Sequence, residues 1–572
     1  MLHGGDLIAR ALQQQNVKWV FTLCGGHISP ILTACRNINI RVIDVRHEAT
    51  AVFAADSVSR ISEPIGVAAV TAGPGLTNTI TAIKNAQMAQ VAVLILGGAT
   101  ATVLKNRGSL QDIDHLRLVQ SITKFSKSVK SVRNITPSIE KAIHIARSGV
   151  PGPVYIELPV DLLYPESVVR EWYGLKADNN SMPWHLKHYL KWSVNKIFKN
   201  KNIISRKLTK HIPTKVSLSK IKKALKIIRS SSKPVLLIGS QVMLNPKNAE
   251  TLVDSIKHLK IPIYVSGTGR GLLSYSNLPI LRHLKKNALK EADTVILAGV
   301  PCDFRLDYGR HINKKAKIIS INLSKKEIVL NRKPALGIKG DPATFLINLK
   351  KIDNNKNWGD WFNTLKNRDE KRFLEISKLA NKKTKFINPI KLFFKLDSFI
   401  SPGDILVADG GDFVATGSYI LTPRSLLGWL DPGVFGTLGV GAGFILGSRI
   451  SNPDSIVWAI FGDGAFGYSL SEFDTFVRHE IPVVAIIGND CGWGQIARDQ
   501  VSILNDSIGT DLAATDYHKS ASGLGCVGYF MDSDKQINEV LEKAKKDAIN
   551  GRTVVINARI GKTDFRKGSI SI

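Results

Sequence analysis

The residues best suited by type and spacing to do chemistry begin with Phe461-Gly462-Asp463-Gly464-Ala465, directly after the apolar run Ser455–Ile460. A second apolar run, Val483–Ile487, closes on Gly488-Asn489-Asp490, so that Asn489 stands 26 residues after Asp463. That interval holds one crossover helix, expected near Ser469–His479. Both polar clusters should therefore sit at the carboxyl ends of strands in an open parallel sheet, where such sheets bind ligands. Asp463 offers a hard carboxylate, Asn489 an amide carbonyl and Cys491 a main-chain carbonyl, an oxygen set suited to Mg²⁺ shared with phosphate. Gly462 and Gly464 let backbone approach a diphosphate closely, and the helix that follows would aim its N-terminus at it. A Gly-Asp-Gly tripeptide alone is a common tight turn. Strand context, interval and the second polar cluster together make it a site.

The elements that must position these groups fall into three α/β blocks, each expected to be a doubly wound parallel sheet. Residues 1–165 alternate helical patterns with β-branched runs at Trp19–Leu23, Arg41–Asp44, Ile65–Thr71, Val91–Leu96 and Val154–Leu158, the pattern of a sheet covered on both faces. A basic linker, 166–215, leads to a central block, 216–350, with strands expected at Pro234–Ile238, Ile261–Val265, Thr294–Leu297 and Lys317–Ile321. A charged helical connector, 351–387, precedes the third block, 388–572, whose further strands are expected at Ile405–Ala408 and Val554–Ala558. No short-period repeat is visible.

Composition narrows the class. The 572 residues are 44% hydrophobic and 22% charged, which excludes disorder as the main state and supplies cores for several domains. The five cysteines (Cys24, Cys35, Cys302, Cys491, Cys526) are scattered, excluding a disulfide scaffold and a zinc module. The formal net charge is +31, yet about half of it comes from residues 179–249, which hold sixteen Lys or Arg and no Asp or Glu. Because that stretch is an interdomain linker, nucleic-acid binding is not expected. The segments Val91–Leu104 and Pro432–Gly447 are respectively too short and too glycine-rich to span a bilayer. No charged-then-apolar leader precedes the first helix pattern at Leu7-Ile8.

The Asp463 and Asn489 clusters resemble the diphosphate and metal motif of thiamine diphosphate enzymes, with the usual double Asn present as Gly488-Asn489. The resemblance implies Asp463 and Asn489 as side-chain metal ligands and Cys491 as a carbonyl ligand, with Gly462, Gly464 and Ala465 beside the diphosphate. Arg46-His47-Glu48-Ala49 resembles the segment carrying the family's cofactor-activating glutamate, here Glu48, which would hydrogen-bond the aminopyrimidine and thereby activate the thiazolium carbon. Thr71-Ala72-Gly73-Pro74-Gly75-Leu76-Thr77-Asn78 is similar to the family's turn beside the cofactor, implying Gly73 and Asn78 as contacts. In Gly436-Thr437-Leu438-Gly439, Leu438 would wedge the cofactor rings into a bent form. Asp409-Gly410-Gly411-Asp412 is similar to the strand end at which the family positions backbone around the diphosphate, which implies Gly410 as a contact.

The resemblance runs from His3 to Arg566, in the domain order of the acetolactate synthase group. It is nearest to the animal acetolactate synthase-like branch of 2-hydroxyacyl-CoA lyases, through strings such as Gly25-Gly26-His27-Ile28-Ser29-Pro30 and Lys84-Asn85-Ala86-Gln87-Met88-Ala89. That branch implies cleavage of a 2-hydroxyacyl-CoA to a shortened aldehyde and formyl-CoA, as in fatty-acid α-oxidation. The alternative is acetolactate synthase proper, condensing two 2-keto acids with FAD. Against it, the synthases' substrate-selecting Trp has no counterpart: Trp493 sits several positions too early. In its favour, Arg305 matches a carboxylate-meeting arginine. The glycine-rich Ser266–Gly271 leaves three readings of the central block open: a retained FAD, a CoA site, or a structural domain. Gln111 matches a pocket glutamine, and His27 with Gln111 would handle protons on the substrate's hydroxyl and carbonyl.

The family builds its site between subunits, implying a homodimer or homotetramer. Animal relatives carry an N-terminal anchor in the endoplasmic reticulum membrane, whereas this chain begins at the catalytic domain, which implies either a missing upstream segment or a soluble form. Within residues 184–199, Trp184, Leu186, Tyr189, Leu190, Trp192, Ile197 and Phe198 alternate with His185, Lys187, Lys191, Lys196 and Lys199. At helical spacing that composition suits an anionic membrane surface.

Overall fold

The structure is a computed structural model describing residues 3–175, 182–199, 214–245, 248–350 and 357–567. Parts of the expected basic linker (176–181 and 200–213) lie outside the described residues. The chain divides into two compact units, one of residues 1–211, 432–451 and 474–479, the other of residues 212–431, 452–473 and 480–572.

The first unit is built on a six-stranded parallel sheet of β1 (Trp19–Thr22), β2 (Arg41–Asp44), β3 (Gly66–Val70), β4 (Val93–Ala99), β5 (Phe125–Ser128) and β6 (Val154–Pro159). Their order is β2-β1-β3-β4-β6-β5. Order reverses between β1 and β3, the crevice where such sheets bind ligands. The central strands β3, β4 and β6 are buried throughout, as apolar runs covered on both faces must be.

Helix Glu48–Ile61 is buried at eleven of its fourteen positions, more than one amphipathic face would give. The reason is a second cover. Helix Gly441–Ser451, distant in sequence, belongs to the same unit and packs against it. A Cβ on Gly443 would lie 2.4 Å from Phe53 Cβ, and one on Gly447 would lie 2.4 Å from the Ala54 carbonyl oxygen. Phe53 meets Phe444 edge-on at 6.1 Å, and Ser57 Oγ donates to the Phe444 carbonyl at 3.0 Å. Beneath that contact Arg60 pairs with buried Asp56 at 2.7 Å. Helix Trp184–Phe198 also joins this unit, burying Val194, Ile197 and Phe198 in its core.

The second unit holds two sheets. The central one comprises β7 (Pro234–Ile238), β8 (Ile263–Val265), β9 (Thr294–Ala298), β10 (Lys317–Asn322) and β11 (Leu336–Lys339), ordered β11-β10-β9-β7-β8. The connector helix Gly359–Leu379 is tied to it by Trp361, whose indole N–H donates to the Pro234 carbonyl at 3.1 Å. The other sheet comprises β12 (Ile405–Asp409), β13 (Trp429–Leu430), β14 (Val457–Gly462), β15 (Val484–Asn489), β16 (Val527–Met531) and β17 (Val554–Arg559), ordered β13-β12-β14-β15-β17-β16. It reverses between β12 and β14, so residues 410–412 and 463–465 flank its crevice. All strand pairs in the three sheets are parallel. Three parallel α/β sheets are the expected fold class.

Candidate functional site

In the first unit, the polar groups singled out by the sequence gather beyond the carboxyl ends of β1 to β4. Glu48 opens its helix after extended His47, whose ring accepts the Ala49 N–H at 3.1 Å. Its side chain is inward, with 5% of the residue exposed. Asn78 Nδ2 donates to Glu48 Oε2 at 2.9 Å. Among the described residues nothing donates to the other oxygen, which is the arrangement a carboxylate needs to bond a ligand while held at one point.

The turn after β3 is a backbone device. Gly73 has φ +60, and a Cβ there would come within 2.9 Å of Gln111 Cβ. Its N–H donates to His115 Nε2 at 2.9 Å, so His115 carries its proton on Nδ1, which faces Glu157 Oε2 at 2.9 Å. Lys105 Nζ, on an exposed side chain, completes the chain at Glu157 Oε1, 3.0 Å away. Burial would raise the Glu157 carboxyl, but donors from His115, Ser128 and Lys105 outweigh it and hold it at about 2. His27 Nδ1 lies 3.1 Å from Thr71 Oγ1, and burial, the largest cause, lowers its pKa. His27, Gln111, Gly73 and the Glu48–Asn78 pair thus occupy one end of one sheet. His115 and Glu157 were not among the sequence candidates. His115, four residues past Gln111, was the available signal; Glu157 reads as interior strand.

Leu438 belongs to the first unit as well, half-buried and flanked by Gly436 and Gly439 at φ +66 and +87.

The second unit carries the other cluster. Gly410, at φ +147, faces Gly462 so closely that a Cβ would come within 2.8 Å of the Gly462 nitrogen. Two backbones approach here without side chains, leaving a bare peptide cradle beside Asp463. Asp463 is buried, with Oδ1 accepting the Gly464 N–H at 2.9 Å and Oδ2 the Gly492 N–H at 3.1 Å. Burial raises its carboxyl above the usual range despite these donors. Gly464 leaves room for the Trp493 ring, 2.4 Å from where a Cβ would be, and Ala465 is buried. Gly488 stands where the family pattern has its first Asn because the Phe413 ring fills the space, 2.4 Å from a Cβ.

Asn489 is buried at the end of β15, its amide fully engaged. Nδ2 donates to Asn557 Oδ1 at 3.1 Å and to the Thr515 carbonyl at 3.2 Å. Oδ1 accepts from the Cys491 N–H at 3.3 Å and from the Arg559 guanidinium at 3.2 Å. The Cys491 carbonyl, expected to face a metal, accepts the Leu512 N–H at 2.9 Å. Asp490 is half-buried. Burial, then the charge of Asp463, pushes its carboxyl up to about 7. Among the described residues no group of three His, Cys, Asp or Glu side chains is arranged to hold a metal, so a cation here would rely on carboxylates supplemented by carbonyl and ligand oxygens. In the central block Arg305 grips Asp303 with its Nη2 at 2.7 Å, so the arginine likened to a carboxylate binder is already paired.

Helix Trp184–Phe198 turns its remaining face outward: Trp184 is 79% exposed, Trp192 58% and Tyr189 49%. Lys196 sits over the Trp192 ring at 4.8 Å. Among the described residues no helix is long and apolar enough to cross a membrane.

Comparison with known proteins agrees with this layout. Residues 2–118 match the N-terminal TPP binding domain of thiamine pyrophosphate enzymes, 221–349 their central domain and 409–558 their C-terminal TPP binding domain. The chain is 45% identical to 2-hydroxyacyl-CoA lyase 2 of Danio rerio, over 100% of this chain and 93% of that protein. Identity to 2-hydroxyacyl-CoA lyase 2 of Homo sapiens is 45%, over 100% and 92%. Identity to a probable acetolactate synthase of Mycobacterium bovis is 30%, over 95% and 93%.

Proposed function

The chain belongs to the thiamine pyrophosphate enzyme family, and from that premise we propose that it is a thiamine diphosphate- and Mg²⁺-dependent lyase cleaving 2-hydroxyacyl-CoA to a shortened fatty aldehyde and formyl-CoA. The observation that carries this reading is full-length identity of 45% to proteins named 2-hydroxyacyl-CoA lyase 2, against 30% to an acetolactate synthase. When bound, thiamine diphosphate supplies the carbanion and electron sink that breaking a carbon–carbon bond requires.

The chain's own residues supply binding, orientation and proton handling. Glu48, held by Asn78 through one oxygen, offers the other to the cofactor's pyrimidine. Leu438 is the side chain proposed to wedge the cofactor rings. Gly410, Gly462, Gly464 and Ala465 border the cradle for the diphosphate, with Asp463 as metal anchor; the bare backbone at Gly410 and Gly462 supports that fit. Gly73 and its His115–Glu157 support fix the turn against Gln111. His27 and Gln111 are the groups proposed to hold protons on the substrate hydroxyl and carbonyl. The lowered pKa of His27 keeps its imidazole neutral and able to accept one.

The same reading includes a homodimer or homotetramer. It also includes peripheral contact of helix Trp184–Phe198 with an anionic membrane, that of the endoplasmic reticulum being the one the resemblance implies. It assigns no chemistry to FAD. The test is an assay of purified full chain with 2-hydroxyacyl-CoA, with and without thiamine diphosphate and Mg²⁺. Formyl-CoA release that needs both is the expected result. Acetolactate from pyruvate by a yellow, flavin-bearing protein would sink it.

A further inference from the structure

One buried carboxylate holds both ends of the loop that carries Gln111. The loop leaves β4 through the turn Thr102–Leu104 and returns at His115, which opens helix His115–Val119. Glu157, on the buried strand β6, takes Lys105 Nζ on Oε1 at 3.0 Å and His115 Nδ1 on Oε2 at 2.9 Å. His115 Nε2 in turn accepts the Gly73 N–H at 2.9 Å. Lys105 and His115 therefore bracket the loop, and a single side chain joins them. Just outside the bracket, the Thr102 N–H donates to buried Asp161 at 3.0 Å.

Inside the bracket the loop leans on itself. The Leu104 carbonyl accepts from Ser109 Oγ and from the Arg107 N–H, each at 3.1 Å, and the Asn106 N–H donates to the Asp112 carboxylate at 2.5 Å. Among the described residues, the hydrogen bonds of residues 106–114 all stay within 104–118. The tip is open to water, with Leu110 83% exposed. Next to it Gln111 stands at φ +63, in the left-handed region, directly against Gly73. A residue other than glycine keeps that conformation only where its surroundings over-determine it. Here those surroundings are the Gly73 turn on one side and the bracket on the other.

Glu157 is suited to the task. Burial opposes its charge, but its donors outweigh burial and keep it ionised. Hydrogen bonds to an ionised carboxylate are shorter and stronger than neutral ones. Lys105 reaches it from the surface, with 39% of the lysine side chain exposed, so replacing Lys105 spares the core.

We propose that Glu157 is a positioning residue for the lyase reaction, clamping both ends of the loop through Lys105 and His115 so that Gln111 stays against the Gly73 turn. This rests on the lyase reading above and deepens it: Gln111 is the group that meets substrate, and Lys105 and Glu157 act through it.

The experiment uses the full chain as Lys105→Met, Lys105→Arg, Gln111→Ala and the double variant Lys105→Met with Gln111→Ala. With thiamine diphosphate and Mg²⁺ present, Lys105→Met is expected to lower kcat for 2-hydroxyacyl-CoA cleavage about tenfold while KM stays within about twofold, since misplacing a reacting group by about 1 Å costs up to about 100-fold. Lys105→Arg keeps the charge and should recover most of the loss. In the Gln111→Ala background, Lys105→Met should cost less than about twofold more, as residues acting through one group do. Hydrogen exchange read by mass spectrometry on the cofactor-free chain should quicken about fivefold or more over residues 104–114 of Lys105→Met, with β3 and β4 exchanging as in the parent. Parent-like exchange or parent-like kcat in Lys105→Met overturns the inference, as do losses that multiply in the double variant. A parent chain that releases no formyl-CoA would instead overturn the lyase reading, while exchange still decides the clamp.

Discussion

Asn78 donates from Nδ2 to Oε2 of Glu48 at 2.9 Å, holding a buried carboxylate by one oxygen while the other meets no donor among the described residues. The two residues lie 30 positions apart, Glu48 in the segment after β2 and Asn78 in the segment after β3, strands that β1 separates in the sheet. Glu48→Gln is therefore expected to keep its fold and lose turnover by about two to four orders of magnitude, the usual worth of a positioned acid–base group. Formyl-CoA release measured beside a thermal melt checks both halves. Asn78→Ala should cost less, because Glu48 remains.

The His115–Glu157–Lys105 chain makes a pH prediction. Glu157 lies at about 2 because its donors outweigh burial. A carboxylate held below its unfolded value stabilises the fold above that value, ordinarily 4.5, and the contribution fades as pH falls towards about 2. The gap in urea midpoint between the parent and Glu157→Gln should be full at neutral pH and narrow progressively below about 4.5. A gap that does not change with pH would show that the charge on Glu157 is not what stabilises.

Gly443 and Gly447 let helix Gly441–Ser451 reach Phe53, Ala54 and Ser57. Gly443→Val should cost about 1–3 kcal/mol by overpacking, seen as a lower melting temperature. An unchanged melt would mean that the helices are not in contact.

Asp56 and Arg60 are nearly buried, and Asp56 also accepts from Asn85 Nδ2 at 3.1 Å. Arg60→Leu leaves an uncompensated buried carboxylate and is expected to cost about 3–5 kcal/mol. Pairing it with Asp56→Leu should recover part of that loss, which a double-mutant cycle in urea would measure.

For the helix Trp184–Phe198, replacing Trp184 and Trp192 by Ala should weaken sedimentation with vesicles containing phosphatidylserine by more than about tenfold, given the apolar area each indole carries. Binding should also weaken with salt. Equal binding by the variant would remove the membrane role.

The interior strands, the three-block order and the cluster around Asp463 were legible because apolar runs buried on both faces announce themselves. Four strands were not foreseen: Phe125–Ser128, Leu336–Lys339, Trp429–Leu430 and Val527–Met531. Each is an outermost strand of its sheet. Such strands are covered on fewer sides, so polar residues such as Ser126 and Lys127 interrupt the apolar signal. The helix expected at Ser469–His479 is found at Glu472–Arg478, shorter at both ends and preceded by a separate short helix, Asp463–Ser469. At the candidate site, residue types and intervals brought out Asp463 and the 489–491 cluster, and the family resemblance brought out Glu48. Spacing could not tell which oxygens of that cluster the fold had already used. Only the partners of Asn489 and Cys491 reveal that.

The packing of helix Gly441–Ser451 on helix Glu48–Ile61 has a consequence for anyone dividing the gene. A continuous piece ending at residue 175 or 199 would encode the first sheet but omit its second cover, leaving Phe53, Ala54 and Ser57 bare to water. Such a fragment should be poorly soluble alone and rescued by a separate peptide of residues 432–451. Here the unit of inheritance, a stretch of sequence, and the unit of folding do not coincide.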